Sequence, residues 1–459
     1  MYDIIIIGAG TAGIAAYQEA IKHTQNILII NDGPWDTTCA RVGCMPSKVL
    51  ISAAERMHDI QHAEQVALQV TSQIDTSQVM SHVRSLRDRF TAGTLKSVEK
   101  WPAEHKISGK AHFVDAQTVE VEGQRYQAKH FILAVGSTPA LQPQWQQVLA
   151  ERLINSDQIF ELPELPRALA VIGSGVIALE LAQAMQRLGV ETSIFARSNK
   201  AGILSSPTLQ TLSQQVLGQE LNILFETLPD SMQRHNDEVE ITYTHQGQAK
   251  KIRVDYVLNA TGRQSLLTSL KLENIDPAFN EIKSLPVDAQ SKQLGDYPIF
   301  IVGDAFSQTP VQHEAAHEGK QAVHNCLSYP QTQPIKTLTP LAIVFSSPQM
   351  AIAGKSYQQL ESEQHKFVTG QSSYEKQGRA LVLGKNQGAI EVYVDVQTGQ
   401  LLGAELFLTE CEHLAHLLAW MIDEQLTVDA ILQKPFYHPT LEEGLRTALK
   451  HARRQLTSL

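Results

Sequence analysis

What is scarce in this chain narrows it first. Only 4 of its 459 residues are cysteine. That is too few for a disulfide scaffold of this size, so a reducing, cytoplasmic setting is expected. In such a setting a bonded cysteine pair is expected to be catalytic rather than structural. Basic residues are outnumbered, 38 Lys and Arg against 48 Asp and Glu, for a net charge of −10. Non-specific nucleic-acid binding and anionic-membrane binding both need clustered positive charge, so neither partner is expected. Long uncharged apolar stretches are missing too. The N-terminal run Tyr2-Asp3-Ile4-Ile5-Ile6-Ile7-Gly8 has no basic segment before it and is far too short for a signal sequence or a span. What is present, 43% hydrophobic and 19% charged residues, is the balance of a globular enzyme with large cores, and this length implies more than one domain.

The informative glycines come in two places. Gly8-Ala9-Gly10-Thr11-Ala12-Gly13 fits G-x-G-x-x-G, between a predicted strand at Ile4–Ile7 and a predicted helix at Ala15–Ile21. The first glycine permits a tight turn, the second lets backbone approach a pyrophosphate, and the third lets helix and strand pack closely. The anion would sit at the helix N-terminus, where free amides and the dipole favour negative charge. The ribose-binding acid expected further on falls at Asn31, with Asp32 beside it. Asn31 is an amide where a carboxylate is usual, though an amide can also hydrogen-bond a hydroxyl.

A second copy follows about 165 residues later, which suggests two nucleotide-binding domains rather than a short repeat array. Gly173-Ser174-Gly175-Val176-Ile177-Ala178 lies between a predicted strand at Ala168–Ile172 and a helix at Leu179–Leu188. Alanine stands at the third glycine position. The next strand, Thr192–Phe195, runs into Ala196-Arg197, with no acid and a cation instead. A carboxylate there favours a free 2′-hydroxyl, whereas arginine accommodates a 2′-phosphate, so the sequence leans toward NADP over NAD. The alternative is that Arg197 is a solvated surface residue. Further strands are expected at Val119–Tyr126, at His130–Val135 ending in Gly136, at Val254–Asn259 ending in Ala260-Thr261-Gly262-Arg263, and at Ile299–Val302 ending in Gly303-Asp304. Beyond the polar stretch Thr332–Pro340, a strand at Ala389–Val394 and a helix at Glu412–Glu424 suggest an α+β domain.

Cys39 and Cys44 follow the first glycine motif closely. They could be unpaired core cysteines, half of a zinc site, a structural disulfide or a redox dithiol. A zinc site needs a second Cys or His pair at ligand spacing, which is not seen, so no metal is expected. A helix beginning near Pro46 would put its positive end near Cys44 and favour the thiolate. Near the other end stands His438-Pro439-Thr440 with Glu443. Dithiol exchange needs a base and an acid near neutral pH, which histidine supplies, and a carboxylate on its other nitrogen would orient the ring. One histidine among 17 is, in isolation, more often a surface or packed residue.

Together these residues resemble the class I pyridine nucleotide–disulfide oxidoreductases over essentially the whole chain. The first glycine motif resembles that family's FAD site, Cys39–Lys48 its disulfide signature, Gly173–Ala178 its nicotinamide site, Phe300–Asp304 its second flavin motif, and His438-Pro439-Thr440 with Glu443 its catalytic pair. The resemblance implies an α/β protein with two Rossmann-like dinucleotide-binding domains and a C-terminal α+β dimerisation domain. It divides the chain into an FAD-binding domain in two parts (1–148 and 267–335), an NAD(P)-binding domain (149–266) and an interface domain (336–459). It implies Cys39 as the interchange thiol, Cys44 as the thiolate against the flavin, and a homodimer in which His438, oriented by Glu443, acts across the interface. Lys48 and Glu180 match positions that pair near the flavin, and Asp304 the aspartate that contacts the ribityl chain. The implied activity is dihydrolipoyl dehydrogenase-like, on a small-molecule or lipoyl dithiol. A glutathione-reductase-like enzyme carries arginines on the first helix, whereas this chain has Ile14-Ala15-Ala16-Tyr17-Gln18-Glu19. Glutathione-reductase-like chemistry with NADPH, or a non-catalytic redox sensor, stand as the alternatives.

Overall fold

The structure is a computed structural model that describes residues 1–307 and 311–458. The chain forms two compact units, each discontinuous in sequence. One comprises 1–46, 82–141 and 262–337, and the other 47–81, 142–261 and 338–459.

The first unit is organised by the strand Tyr2–Ile7, which pairs in parallel with Ile27–Asn31 on one side and with Gln124–Leu133 on the other. Ile299–Ile301 extends the parallel sheet beyond Gln124–Leu133, and Lys106–Ser108 extends it beyond Ile27–Asn31. The run Ile4–Ile7 is apolar without alternation because both faces of the strand are covered. Ile5 and Ile7 enter one core with Leu28, Ile30, Phe131 and Leu133. Ile4 and Ile6 enter a second core with Ile27, Ile29, Ile132 and Phe300. Each isoleucine is at most 4% exposed and contributes roughly 1.5–3 kcal/mol by burial. The helices Thr11–Ala20 and Gln312–Ser328 cover the second core and pack on each other.

The first unit differs from the sequence expectation at a strand and at a helix start. The strand expected over Val119–Tyr126 is broken. Thr118–Val121 turns at Glu122-Gly123, both at positive φ, and returns antiparallel as the long strand Gln124–Leu133. The first helix begins at Thr11 rather than Ala15, directly after Gly10.

The second unit carries its own parallel sheet, in the order Asn222–Leu224, Glu191–Phe195, Ala168–Ile172, Tyr256–Asn259, Leu153–Asn155. The helix Val176–Arg187 follows the strand Ala168–Ile172. A five-stranded antiparallel sheet is built from Leu341–Val344, Gln349–Gly354, Leu401–Leu408, Gly388–Asp395 and Phe367–Ser373. The helices Cys411–Asp423 and Glu442–Leu456 pack on it through Leu414, Leu418, Leu445 and Leu449.

Candidate functional site

In the first unit one cleft is lined by Gly8, Gly10, Thr11 and Ala12 of the first glycine loop, by Asn31, Asp32, Asp36, Cys39, Arg41 and Cys44, and by Gly136, Ser137, Arg263 and Asp304. The glycine loop shows why the motif is needed. A Cβ on Gly13 would lie 1.8 Å from Gly8 O, so nothing larger fits where helix and loop touch. A Cβ on Gly10 would meet nothing within 4 Å, because that side faces the cleft. Gly10 also caps the helix Thr11–Ala20 without any side-chain hydrogen bond, so the first-turn amides remain available to an anion. Uncapped amides beside an open backbone face fit a dinucleotide pyrophosphate.

Asn31 is buried, and its amide is engaged locally. Oδ1 accepts from Ala9 N–H at 2.9 Å, while Nδ2 donates to Gly33 O and Pro34 O at 3.0 and 2.9 Å. The side chain fixes the glycine loop against the strand end, which differs from the ribose contact expected of it. Asp32, exposed on the same cleft, presents the carboxylate.

Cys39 is half-buried and Cys44 exposed, and both line the cleft. Cys39 is the second residue of a four-residue helix, Thr38–Arg41, whose cap Thr37 accepts from Ala40 N–H at 3.2 Å. Cys44 is the first residue of the helix Cys44–Gln61, two residues earlier than Pro46 suggested. The sulfur at the N-terminus of an 18-residue helix feels the positive end of its dipole. The other two cysteines, Cys326 and Cys411, are buried, and burial pushes both thiols far up.

Asp304 follows the strand Ile299–Ile301, and burial raises its carboxyl above the usual range against the opposing pull of Arg263. Gly303 N–H donates to Glu318 at 2.8 Å, and Lys292 pairs with Glu318 at 2.9 Å. Arg263 and the Asp36–Arg41 ion pair at 2.9 Å were not singled out from sequence. Arg263 was legible as the residue after Gly262, where the structure shows it donating to Ser137 Oγ and Ser137 O at 2.9 and 2.7 Å.

The second unit carries the remaining candidates. Gly173 and Gly175 precede the helix Val176–Arg187, and Ala178 is accommodated there at 1% exposure. Arg197 is exposed just past the strand Glu191–Phe195. Lys48 Nζ pairs with Glu180 at 2.7 Å and lies 4.4 Å from the Phe345 ring centroid, while Phe345 N–H donates to the other oxygen of Glu180 at 2.9 Å. His438 is 80% exposed, and its Nδ1 lies 3.0 Å from Glu443. That contact and the Thr440 N–H hold the Glu443 carboxyl below the usual range. Among the described residues, no helix is long and apolar enough to cross a membrane.

A glycine loop and two cysteines on one cleft belong to the chemistry of proteins that carry electrons between dinucleotides and sulfur. Comparison with known proteins makes the class specific. Residues 2–319 match the pyridine nucleotide-disulphide oxidoreductase family and residues 341–449 match its dimerisation domain, and the chain belongs to that family. Dihydrolipoyl dehydrogenase from Geobacillus stearothermophilus is 29% identical over 449 residues, 96% of this chain and 94% of that protein. The Bacillus subtilis enzyme of the same name is 28% identical over 449 residues, 96% of this chain and 94% of its own. Among solved structures, LpdA from Mycobacterium tuberculosis superposes with a TM-score of 0.85 at 21% identity, covering 99% of this chain and 100% of that one. The HOCl-induced flavoprotein disulfide reductase RclA from Escherichia coli superposes at 0.80 with 18% identity, covering 98% and 99%. The protein is an FAD-dependent disulfide oxidoreductase that uses a pyridine nucleotide, and its dimerisation domain supports a homodimer.

Proposed function

We propose that the chain is a dihydrolipoyl dehydrogenase-like enzyme that passes electrons from a small-molecule or lipoyl dithiol through Cys39 and Cys44 to flavin and then to NAD(P). The observation that carries this is the shared cleft: both cysteines line the same opening as the glycine loop and Asp304. Domain boundaries at 148, 266 and 335 belong to the same proposal.

With Cys39 and Cys44 oxidised, a substrate thiolate attacks Sγ of Cys39. The Cys39–Cys44 bond breaks, and Cys44 leaves as a thiolate stabilised by the helix it begins. The second substrate thiol then attacks the substrate sulfur joined to Cys39. That bond breaks, the substrate disulfide closes, and Cys39 leaves as a thiolate. The substrate has lost two electrons and two protons. His438, acting from the partner subunit, takes the protons one at a time and passes them to water, while Glu443 holds the ring. Bound FAD supplies the two-electron relay from the reduced pair to the nicotinamide. Gly8, Gly10, Gly13, Asp32, Gly136, Gly262, Gly303 and Asp304 would hold that flavin, with Asn31 keeping the loop in shape and Lys48 paired to Glu180. Gly173, Gly175, Ala178 and Arg197 would hold the nicotinamide nucleotide.

An exposed Arg197 with no acid at the strand end favours NADP. The same observation favours a second reading, an NADPH-dependent reductase of another disulfide. Steady-state rates with dihydrolipoamide, oxidised glutathione, NAD⁺ and NADPH separate the two. Dihydrolipoamide turnover is expected to exceed glutathione reduction, and the reverse order overturns the first reading. Cys44→Ser is expected to abolish turnover while flavin content and the folded state persist. Wild-type lipoamide turnover in that variant would remove the dithiol from the mechanism.

A further inference from the structure

We propose that Glu19, His23 and His324 form a binding site for a divalent late first-row transition cation of the Zn²⁺ or Cu²⁺ kind. The three residues lie in the first unit, on two packed helices and the turn that follows the first. Glu19 belongs to Thr11–Ala20, His23 follows one turn later at i+4, and His324 belongs to Gln312–Ser328. Lys22 Nζ holds one oxygen of Glu19 at 2.6 Å. The other oxygen, Oε1, faces both imidazoles, with His23 Nε2 at 3.4 Å and His324 Nε2 at 3.6 Å. Two ligand atoms each about 2.1 Å from one ion at the tetrahedral angle lie about 3.4 Å apart, so both carboxylate–imidazole separations fit a shared cation, and all three ligand atoms lie within 4.8 Å of one another. They are long for an imidazolium donating directly to a carboxylate, where about 2.7–2.9 Å is usual.

Position and chemistry agree with this. Glu19 is 13% exposed, while His23 and His324 are 37% and 48% exposed. The carboxylate is shielded, and the ring nitrogens leave an entry path and room for water at a fourth position. Two imidazoles with one carboxylate suit zinc, copper or nickel over magnesium or calcium, which prefer all-oxygen shells. The two helices pack closely, since a Cβ on Gly319 would lie 2.2 Å from Ala12 O. Both helices start at the dinucleotide cleft, where Thr11, Ala12, Gln312 and Ala315 line it. A cation at Glu19, His23 and His324 therefore clips together two elements that frame the cofactor end of the unit.

The test uses the flavin-loaded dimer with its dithiol oxidised, so that Cys39 and Cys44 do not compete for metal. Titration with Cu²⁺ followed by electron paramagnetic resonance, and with Zn²⁺ by calorimetry, is expected to give about one ion per chain with nitrogen coupling. His23→Gln/His324→Gln is expected to lose that signal and to weaken binding at least about tenfold, with flavin spectrum and turnover unchanged. Zn²⁺ is expected to raise the thermal midpoint of the wild type and leave that of the double variant unmoved. Equal affinity and the same copper signal in both proteins would overturn the proposal, as would no binding by the wild type at millimolar metal.

Discussion

At residue scale the proposed proton transfer rests on His438. Its ring is 80% exposed, so packing does little to fix it, and orientation depends on the Glu443 contact at Nδ1. With Nδ1 donating to Glu443, Nε2 is left to exchange protons. Glu443 itself is held below the ordinary carboxylate range, first by His438 and then by Thr440 N–H. A carboxyl depressed by folding keeps its contribution above the unfolded value of about 4.3 and loses it as pH falls through the lower folded value. The pair is therefore intact at neutral pH. Glu443→Gln preserves size but removes the charge that faces Nδ1. Turnover with dihydrolipoamide is expected to fall on the order of 10- to 1,000-fold, with flavin content unchanged. A kcat equal to that of the wild type would detach Glu443 from proton transfer.

At the scale of elements, the proposed NADP preference rests on the second glycine unit. The strand Glu191–Phe195 runs out to an exposed Arg197, with no carboxylate there to repel a 2′-phosphate. Arg197→Ala is expected to raise KM for NADPH about tenfold, the loss of one charge-assisted contact, and to change KM for NADH little. An equal change for both nucleotides would leave Arg197 as surface. Elements of this kind were legible because a parallel strand buried on both faces reads as an unbroken apolar run, and Ala168–Ile172 is found as expected. The break at Glu122-Gly123 was missed because valines and tyrosine on either side sustain a strand pattern, although glycine after a charged residue was the turn signal. Pro46 misled the placement of its helix. A first-turn proline lacks only an N–H that has no helical partner, so the helix starts at Cys44 and proline sits inside the turn. Asn31 occupies the position read from sequence, but its work on Ala9, Gly33 and Pro34 depends on a loop path that no spacing rule contains. The Glu19–His23–His324 group was invisible for a related reason, since it joins residues some 300 positions apart.

At the scale of the whole molecule, the question is whose histidine serves whose cysteines. The family's dimerisation domain spans residues 341–449 and includes His438. The same stretch leaves Leu381, Val382, Trp420 and Tyr437 exposed at 53%, 68%, 63% and 79% in the single chain, apolar side chains of the kind a homodimer covers. If the dithiol of one subunit works with His438 of the other, two inactive variants complement each other. Coexpressed Cys44→Ser and His438→Ala chains form mixed dimers in about half of all pairings, as random association through a two-fold interface requires. Each mixed dimer then has one site with both defects and one site with neither. Turnover of the mixture is expected near a quarter of wild type, about half the dimers each with half their sites, although either variant alone is silent. A histidine acting on its own subunit's cysteines gives no intact site in any pairing, and the mixture would stay as inactive as its parents.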